Sequence, residues 1–248
     1  MSTRCPPDLL RRALLQSLGL SAAIAALPFA ANPADAAGQP EKIGIIGSGR
    51  VGSALGGVWA AAGHEVMFSS ENLDHDKQLA ARLGAGAHAG TPAEAAAFGS
   101  VLVIAVPYRA MPGLGQSLDG LLKGKVVIDA SNPFPNRDGD IAGQAEAAGG
   151  AGLMTAKLLP GARVVRAFNA VPAAEMAREH ETPGQVGMPI ASDDREAVGI
   201  ASRLIREIGY EPVLIGGLAA GRFLVPGSAL AGDHSPADIR RIAKSTKH

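Results

Sequence analysis

The sequence predicts an α/β protein with a doubly wound, mostly parallel sheet. Short β-rich runs alternate with helical segments from about residue 41 to about residue 170. Residues 101–106 form a continuous apolar run, which is typical of a parallel strand buried on both faces. Strands that alternate with helices in this way favour βαβ crossovers within one open sheet.

The elements follow one another along the chain with recognisable boundaries. The predicted strands cover residues 41–46, 65–69, about 87–88, 101–106, 125–129, 163–168, 185–191 and 210–215. The predicted helices cover residues 50–62, about 73–83, a segment that begins at Thr91, and a segment from Asp194 to about Ile208. Thr91 with Glu94 three residues later indicates a capping-box start, and Gly63 and Gly209 are placed to end helices.

The composition excludes several classes of function. The chain has 248 residues, of which 47% are hydrophobic and 19% charged, and its formal net charge is zero. This describes an ordinary globular protein with neither the bias of a disordered chain nor a basic surface for nucleic acid. Cys5 is the one cysteine, and the six histidines show no ligand spacing, so we expect no disulfide framework and no metal site.

Residues 1–36 read as an export signal rather than as part of the fold. A basic start is followed by a moderately apolar stretch, and Ala34-Asp35-Ala36 matches a small-x-small cleavage pattern. The pair Arg11-Arg12 resembles a twin-arginine signal; a general secretory signal, an uncleaved anchor and a misassigned start codon remain open. We expect a periplasmic or secreted protein without stable membrane insertion after cleavage, or a cytoplasmic one if the signal does not function. Residues 37–248 then form one domain.

A glycine motif at residues 47–52 follows the first predicted strand and opens the first predicted helix. In a dinucleotide site of the G-x-G-x-x-G type, Gly47 permits the tight turn, Gly49 lets the backbone approach a pyrophosphate, and Gly52 allows close helix–strand packing. The helix N-terminus offers N–H groups and a positive dipole end to the phosphates. Because strand and helix flank the motif, a cofactor site is favoured over an accidental glycine-rich turn. The candidate cofactor-binding residues of this loop are Gly47, Ser48, Gly49, Arg50, Val51 and Gly52.

Ligands of a doubly wound sheet bind at the carboxyl ends of its strands. Five predicted loops follow such ends, at residues 47–52, 69–71, 105–109, 130–134 and 168–171. We expect these five loops to face one crevice.

Six motifs stand out along the chain, at residues 43–52, 59–66, 104–107, 127–133, 166–171 and 191–194. Together they resemble those of the deazaflavin-dependent NADP oxidoreductase family, whose members move hydride between NADP and coenzyme F420. The resemblance extends from about residue 41 to about residue 230. It implies a Rossmann-type fold, NADP as cofactor and a deazaflavin or flavin as co-substrate.

The resemblance also bears on the ribose end of the cofactor site. Family members typically have Gly-Ser-Arg where this chain has Ser69-Ser70-Glu71, and the Ser and Arg hold the adenosine 2′-phosphate. Ser70 matches the family serine, but Glu71 would repel a phosphate and could accept a ribose hydroxyl, as in NAD sites. Arg50 is a candidate replacement cation. NADP is therefore expected, with NAD as the alternative.

In the resembled family, two further segments line the nicotinamide pocket. In this chain they are Ala105, Val106 and Pro107, and residues 130–133 with Asn132 and Pro133. Asn132 and Asn169 are either hydrogen-bond partners of ribose or carboxamide, or turn formers at strand ends. Tyr108, Arg109 and Phe134 are candidates for an acceptor-side wall.

The sequence contains no convincing acid–base pair, so no catalytic residue is assigned. Hydride transfer depends chiefly on positioning, which suits exchange between two cofactors. We expect an NADP-dependent oxidoreductase with a small-molecule redox acceptor, and a homodimer is compatible with it. Two alternatives stay open: a non-catalytic dinucleotide-binding redox sensor or cofactor-presenting subunit, and an NAD-dependent reductase of a small carbonyl compound.

Overall fold

The computed structural model describes residues 39–176 and 183–246. The strands are β1 (Lys42–Ile46), β2 (Glu65–Ser69), β3 (Ala87–Ala89), β4 (Val101–Ile104), β5 (Val126–Asp129), β6 (Arg163–Arg166), β7 (Gly187–Ala191) and β8 (Glu211–Gly216). The helices are α1 (Arg50–Ala61), α2 (Leu73–Leu83), α3 (Pro92–Phe98), α4 (Met111–Ser117), α5 (Pro135–Asp138), α6 (Asp140–Ala147), α7 (Ala151–Leu158), α8 (Ala173–Met176), α9 (Arg195–Glu207) and α10 (Pro236–Ser245). The proposed signal, residues 1–36, lies outside the described residues and stays a prediction.

The eight strands form one sheet in the order β3-β2-β1-β4-β5-β6-β7-β8. Neighbouring strands are parallel except β6 and β7, which are antiparallel and paired through Arg166 and Ala191. The mostly parallel α/β sheet predicted from the sequence is therefore confirmed. The strand order reverses direction between β1 and β4, and open sheets of this kind bind ligands at that switch point.

Two predicted strands end earlier than the apolar pattern suggested. β4 stops at Ile104 rather than at residue 106, and β6 stops at Arg166 rather than at residue 168. Phe168 has a φ of 68°, which lies in the left-handed region and cannot continue a strand. The residues that follow each shortened strand therefore belong to loops at the carboxyl ends of the strands.

Alternate residues of the central strands enter two separate apolar cores, one on each face of the sheet. Ile43 and Ile45 pack with α1 and α9, whereas Leu102 and Ile104 pack with α3, α4 and α7 on the other face. Trp59 of α1 is fully buried, and its indole N–H donates to the carbonyl of Leu204 at 2.9 Å. The central strands and the loops that follow them therefore rest on packed layers on both sides.

A third apolar cluster joins β7 and β8 to α10 and to a 3-10 segment at Leu218–Phe223. Helix α10 was not among the predicted elements, although Ser235 caps it and Pro236 occupies its first turn. In the described part of the chain, no helix is both long and apolar enough to cross a membrane. Among the same residues, no group of three His, Cys, Asp or Glu side chains is placed to hold a metal ion.

Candidate functional site

Two adjacent cavities lie above the carboxyl ends of β1 and β4, and both are lined by Ala105, Val106 and Pro107. The first cavity, of about 850 Å³, is lined by the glycine loop and by the residues after β2. The second cavity, of about 910 Å³, is lined by the start of α1 and by the residues after β5 and β6. All five predicted loops contribute to this crevice, so the expected convergence is confirmed.

The structure divides the candidate cofactor residues between the two cavities. Lining the first cavity are Gly47, Ser48, Gly49, Ser70 and Glu71. Lining the second cavity are Arg50, Val51, Asn132 and Asn169. Three candidates belong to neither lining, namely Gly52, Ser69 and Pro133. Gly52 and Ser69 lie behind the crevice, where Ser69 donates its hydroxyl to the carbonyl of Ile45 at 2.8 Å.

The three glycines of the loop are in different surroundings. Gly47 has a φ of 99°, and a Cβ on it would lie 2.5 Å from the carbonyl oxygen of Ala105. A Cβ on Gly52 would overlap the carbonyl oxygen of Gly47, so α1 packs against the loop without room for a side chain. A Cβ on Gly49 would meet nothing within 4 Å. Gly49 precedes α1 at the edge of the first cavity, which leaves the first-turn N–H groups of α1 accessible to an anion.

A buried carboxylate connects the glycine loop with the end of β2. Asp76 of α2 has no exposed surface, and it accepts hydrogen bonds from the hydroxyls of Ser48 and Ser70. The Ser70 hydroxyl lies 2.9 Å from Asp76 Oδ2 and also accepts from the N–H of Asn72. Asp76 was not among the predicted site residues, because a carboxylate within a polar helix start has no apolar or motif signal.

The charges around the first cavity are mixed. Glu71, His75 and Arg109 all line it. Arg109 donates from Nη1 to the carbonyl of Arg137 at 3.1 Å and is more than half exposed. Arg50, the proposed replacement cation, lines the second cavity instead, so that proposal is not supported by its position. Arg109 is the arginine that lines the first cavity with Glu71, and its place in an acceptor-side wall stays a prediction.

Two asparagine side chains are anchored at the second cavity. Asn132 donates from Nδ2 to the carbonyl of Asn169 at 2.8 Å, and its Oδ1 accepts from Arg166 at 3.2 Å. Asn169 donates from Nδ2 to the carbonyls of Asp129 and Ser131, at 3.1 and 3.2 Å. Both side chains therefore bridge the ends of β5 and β6 while belonging to the cavity lining.

A buried ion pair supports these asparagines from below. Arg166 and Asp129 have fully buried side chains, and Nη1 of Arg166 lies 2.8 Å from Asp129 Oδ2. The same carboxylate oxygen accepts from the hydroxyl of Thr155 at 2.8 Å, and its partner oxygen accepts from the N–H of Ser131. Arg166 also donates to the carbonyl of Leu224, at 3.3 Å. It therefore ties the carboxyl end of β5 to the segment after β8.

Tyr108 does not form an acceptor-side wall, and that expectation is wrong. Its side chain is fully buried, and its hydroxyl donates to the carbonyl of Ala151 at 3.0 Å. Burial raises the pKa of Tyr108 to about 12, although the hydrogen bond with Thr155 opposes the rise. Tyr108 is thus a structural member of the network beneath the crevice.

Phe134 does line the second cavity, and Arg137 accompanies it there. The Arg137 guanidinium lies 4.8 Å from the centroid of the Phe134 ring, which is a cation–π geometry. Asp138 holds both residues by accepting from the N–H of Phe134 at 2.8 Å and from Arg137. With Arg50, the cavity lining carries two arginines and no carboxylate, which suits an anionic ligand.

The hydrogen bonds of the Asp138 carboxylate lead to a prediction of how the free energy of unfolding depends on pH. Burial alone would raise the pKa of its carboxyl, but the bonds from Arg137 and from the N–H groups of Phe134 and Arg109 lower it below 3.8. A lowered pKa means that this stabilisation is present above the unfolded value and is lost as pH falls through the folded one. We expect the free energy of unfolding to decrease below about pH 4, and the Asp138→Asn variant to lose less of it on acidification. Urea unfolding across this pH range measures both, and equal acid losses in the two proteins would contradict the assignment.

Phe168 forms part of the second cavity in an unusual backbone conformation. Among the described residues it is the one non-glycine residue with positive φ. Its ring packs edge-to-face with Trp59 and Tyr210, at centroid distances of 6.0 and 6.4 Å. This aromatic packing holds the backbone between β6 and Asn169 in the left-handed region, which costs free energy for a bulky residue.

Comparisons with known proteins identify a matching family and a similar protein. The family model described as NADP oxidoreductase, coenzyme F420-dependent, matches residues 42–133. A protein named F420-dependent NADP reductase from Methanothermobacter thermautotrophicus is 31% identical over 199 residues, which cover 74% of this chain and 84% of the relative.

Two solved structures are also similar. A hypothetical protein from Sinorhizobium meliloti has a TM-score of 0.66 and 28% identity, with 79% of this chain and 96% of that one covered. A 3-hydroxyisobutyrate dehydrogenase from Mycobacterium tuberculosis has a TM-score of 0.54 and 15% identity, with 74% and 57% covered. At that identity the second likeness supports the fold alone.

Proposed function

Because the chain belongs to the family of coenzyme F420-dependent NADP oxidoreductases, we propose that it transfers hydride between NADP and a deazaflavin or flavin-like acceptor. The observation that carries this proposal is the position of the glycine loop, residues 47–52. The loop lies at the switch point of the sheet and lines the first cavity, beside a second cavity of similar volume. One cavity suits the adenosine half of a dinucleotide. The other suits the nicotinamide and a flat partner.

The residues present fit the pyrophosphate of a dinucleotide. Open space above Gly49 and the free first turn of α1 would hold the phosphates. Ala105, Val106 and Pro107 separate the two cavities and would guide the cofactor from one to the other. When bound, the nicotinamide and the deazaflavin supply the hydride chemistry. The protein positions them and excludes water with small and apolar side chains.

The second cavity favours exchange between two cofactors over reduction of a carbonyl compound. Reduction of a ketone or imine benefits from a side chain that delivers a proton to the product. Among the described residues, the ionisable groups in this lining are Arg50 and Arg137, and arginine does not give up its proton in proteins. The lining therefore offers positive charge but no general acid.

A turnover experiment tests the proposal against its alternatives. Purified protein is mixed with NADPH and, in separate reactions, with coenzyme F420, riboflavin, and a panel of small ketones and imines. We expect oxidation of NADPH with the deazaflavin or flavin and none with the panel. Nucleotide binding without turnover on any acceptor would support the non-catalytic redox sensor instead, and turnover on the panel alone would support a carbonyl reductase.

Glu71 leads to a prediction about the choice of nucleotide. It lines the first cavity next to Ser70, where it would lie close to an adenosine 2′-phosphate. We expect Glu71→Arg to raise the preference for NADP over NAD by about 1–3 kcal/mol, because a repulsive charge becomes a charge-assisted donor. Titration of each nucleotide into both proteins measures the preference.

The matched control for this change is Glu65→Arg. Glu65 lies at the opposite end of the same strand, β2, and is half exposed, so the change of charge is identical. An equal shift in both variants would mean that net charge alone alters the preference. No shift in Glu71→Arg would mean that this side chain does not contact the ribose.

We also propose that residues 1–36 direct export by the twin-arginine route. The support is the sequence pattern alone, from Arg11-Arg12 to Ala34-Asp35-Ala36. Cell fractionation and N-terminal sequencing test it, with a periplasmic protein that begins at Ala37 as the expected result. A full-length protein in the cytoplasm, unchanged when both arginines are replaced by lysine, would contradict it.

A further inference from the structure

The amide groups of Asn132 and Asn169 have fixed and opposite orientations at the second cavity. Oδ1 of Asn132 faces the Arg166 guanidinium at 3.2 Å, and Nδ2 faces the carbonyl of Asn169 at 2.8 Å. A guanidinium only donates and a carbonyl only accepts, so rotating this amide by half a turn would break both bonds. Within residues 39–176 and 183–246, the second N–H of Asn132 Nδ2 has no acceptor, so it can donate to a ligand.

Asn169 shows the complementary pattern. Both of its N–H groups are used, because Nδ2 donates to the carbonyls of Asp129 and Ser131. Its Oδ1 has no hydrogen-bond partner among the described residues, although the residue is only 2% exposed. A buried acceptor without a partner is costly, and a donor supplied by a ligand would remove that cost. Asn169 belongs to the lining of the second cavity.

We propose that Asn132 and Asn169 together bind the carboxamide of the nicotinamide. Asn132 donates its free N–H to the carboxamide oxygen, and Oδ1 of Asn169 accepts from the carboxamide N–H. A carboxamide carries one acceptor and one donor, which is the chemical complement of the second N–H of Asn132 and the unpartnered Oδ1 of Asn169. This inference rests on the proposed function, because it requires a nicotinamide in the second cavity.

Arg166 acts as a positioning residue in this arrangement. It is fully buried and belongs to neither cavity lining, so it does not contact the ligand. Its guanidinium fork reaches Asp129 and Asn132 together, at 2.8 and 3.2 Å. A lysine presents one point charge instead of a planar fork, and we expect it to hold Asp129 without fixing Asn132.

The test is calorimetric titration of the full chain with nucleotides in the absence of any acceptor. The probes are NADP, its acetylpyridine analogue, which keeps the oxygen but lacks the N–H, and adenosine 2′,5′-bisphosphate, which lacks the nicotinamide. We expect the acetylpyridine analogue to bind about tenfold more weakly than NADP, because Asn169 Oδ1 then stays without a donor. This comparison uses the unaltered protein, so it does not depend on how any variant folds.

Variants separate the two asparagines. Asn132→Ala is expected to weaken NADP and the acetylpyridine analogue by the same factor, about tenfold, while the bisphosphate keeps its affinity. In an Arg166→Lys background the effect of Asn132→Ala is expected to shrink, because Asn132 has already lost its orientation. A merely structural role of Arg166 would leave that effect unchanged.

The outcomes distinguish this inference from the proposed function. If the bisphosphate and NADP both bind but the acetylpyridine analogue binds as tightly as NADP, the carboxamide assignment is overturned and the nucleotide site stands. An unchanged NADP affinity in Asn132→Ala overturns it equally. If neither NADP nor the bisphosphate binds, the proposed function fails and this inference fails with it.

Discussion

A Gly49→Val variant is expected to lose at least a hundredfold in affinity for NADP, about 2.8 kcal/mol, while the ligand-free protein stays folded. Nothing lies within 4 Å of a Cβ at this position, so the folded protein has room for the side chain. Its φ of −69° is one that any residue adopts. The branched side chain would instead fill the space above the first turn of α1, where the phosphates are expected. Calorimetric titration and a thermal melt measure the two halves of this prediction.

Two other glycines serve as controls for this variant. Gly199 lies in α9, is also open, and belongs to neither cavity lining, so Gly199→Val should leave NADP affinity unchanged. Gly52→Ala should instead destabilise the fold, because its Cβ overlaps the carbonyl of Gly47. Retained affinity in Gly49→Val would mean that the phosphates do not approach this loop.

The second large effect is expected from Arg166→Met, which should lower the free energy of unfolding by about 3–5 kcal/mol. Methionine keeps an unbranched apolar side chain at this fully buried position but removes the guanidinium that pairs with the carboxylate of Asp129. For a domain of this size, such a loss lowers the melting temperature by roughly 6–20 °C. Urea unfolding of the wild type and the variant measures the difference.

Arg163→Met provides the matched comparison on the same strand. Arg163 pairs with Asp194 at 2.6 Å and with Glu196 at 2.8 Å, but these side chains are partly or largely exposed. Exposed pairs contribute little, so we expect a loss of less than about 1 kcal/mol. The double variant Asp129→Asn with Arg166→Met should recover part of the stability by removing the unpaired charge. Equal losses at Arg163 and Arg166 would contradict the role assigned to the buried pair.

The parts of the fold that the sequence predicted are those with strong local signals. The continuous apolar run at residues 101–106 predicted a strand buried on both faces, and every residue of β4 is buried, with Val101 and Val103 in one core and Leu102 and Ile104 in the other. The capping box at Thr91 and Glu94 is present as predicted, with the Glu94 carboxylate 2.7 Å from the N–H of Thr91. Local chemistry of this kind requires no knowledge of distant residues.

It was harder to predict which cavity a side chain at the start of a helix or in a loop would line. Arg50 and Glu71 were expected near the same phosphate, but the start of α1 presents Arg50 to the second cavity. Tyr108 and Arg109 are adjacent, yet one is buried beneath the crevice and the other lines the first cavity. A short helical turn at Tyr108–Ala110 rotates neighbouring residues to different sides, and no pattern in the sequence indicates that turn.

The supporting charges were missed for a different reason. Asp76 and Arg166 are ordinary charged residues in the sequence, and only tertiary packing buries them. Arg166 meets Asp129 across neighbouring strands and Leu224 from far along the chain. Long-range pairs of this kind depend on strand order, which a single sequence does not specify.

The left-handed backbone at Phe168 has a consequence for how the second cavity can vary in shape. Its ring is held between Trp59 of α1 and Tyr210 just before β8, and neither of those residues lines the second cavity. The shape of this cavity at Phe168 therefore depends on aromatic packing in the interior. We expect substitutions at either flanking ring to change the shape of the second cavity without replacing any residue that lines it.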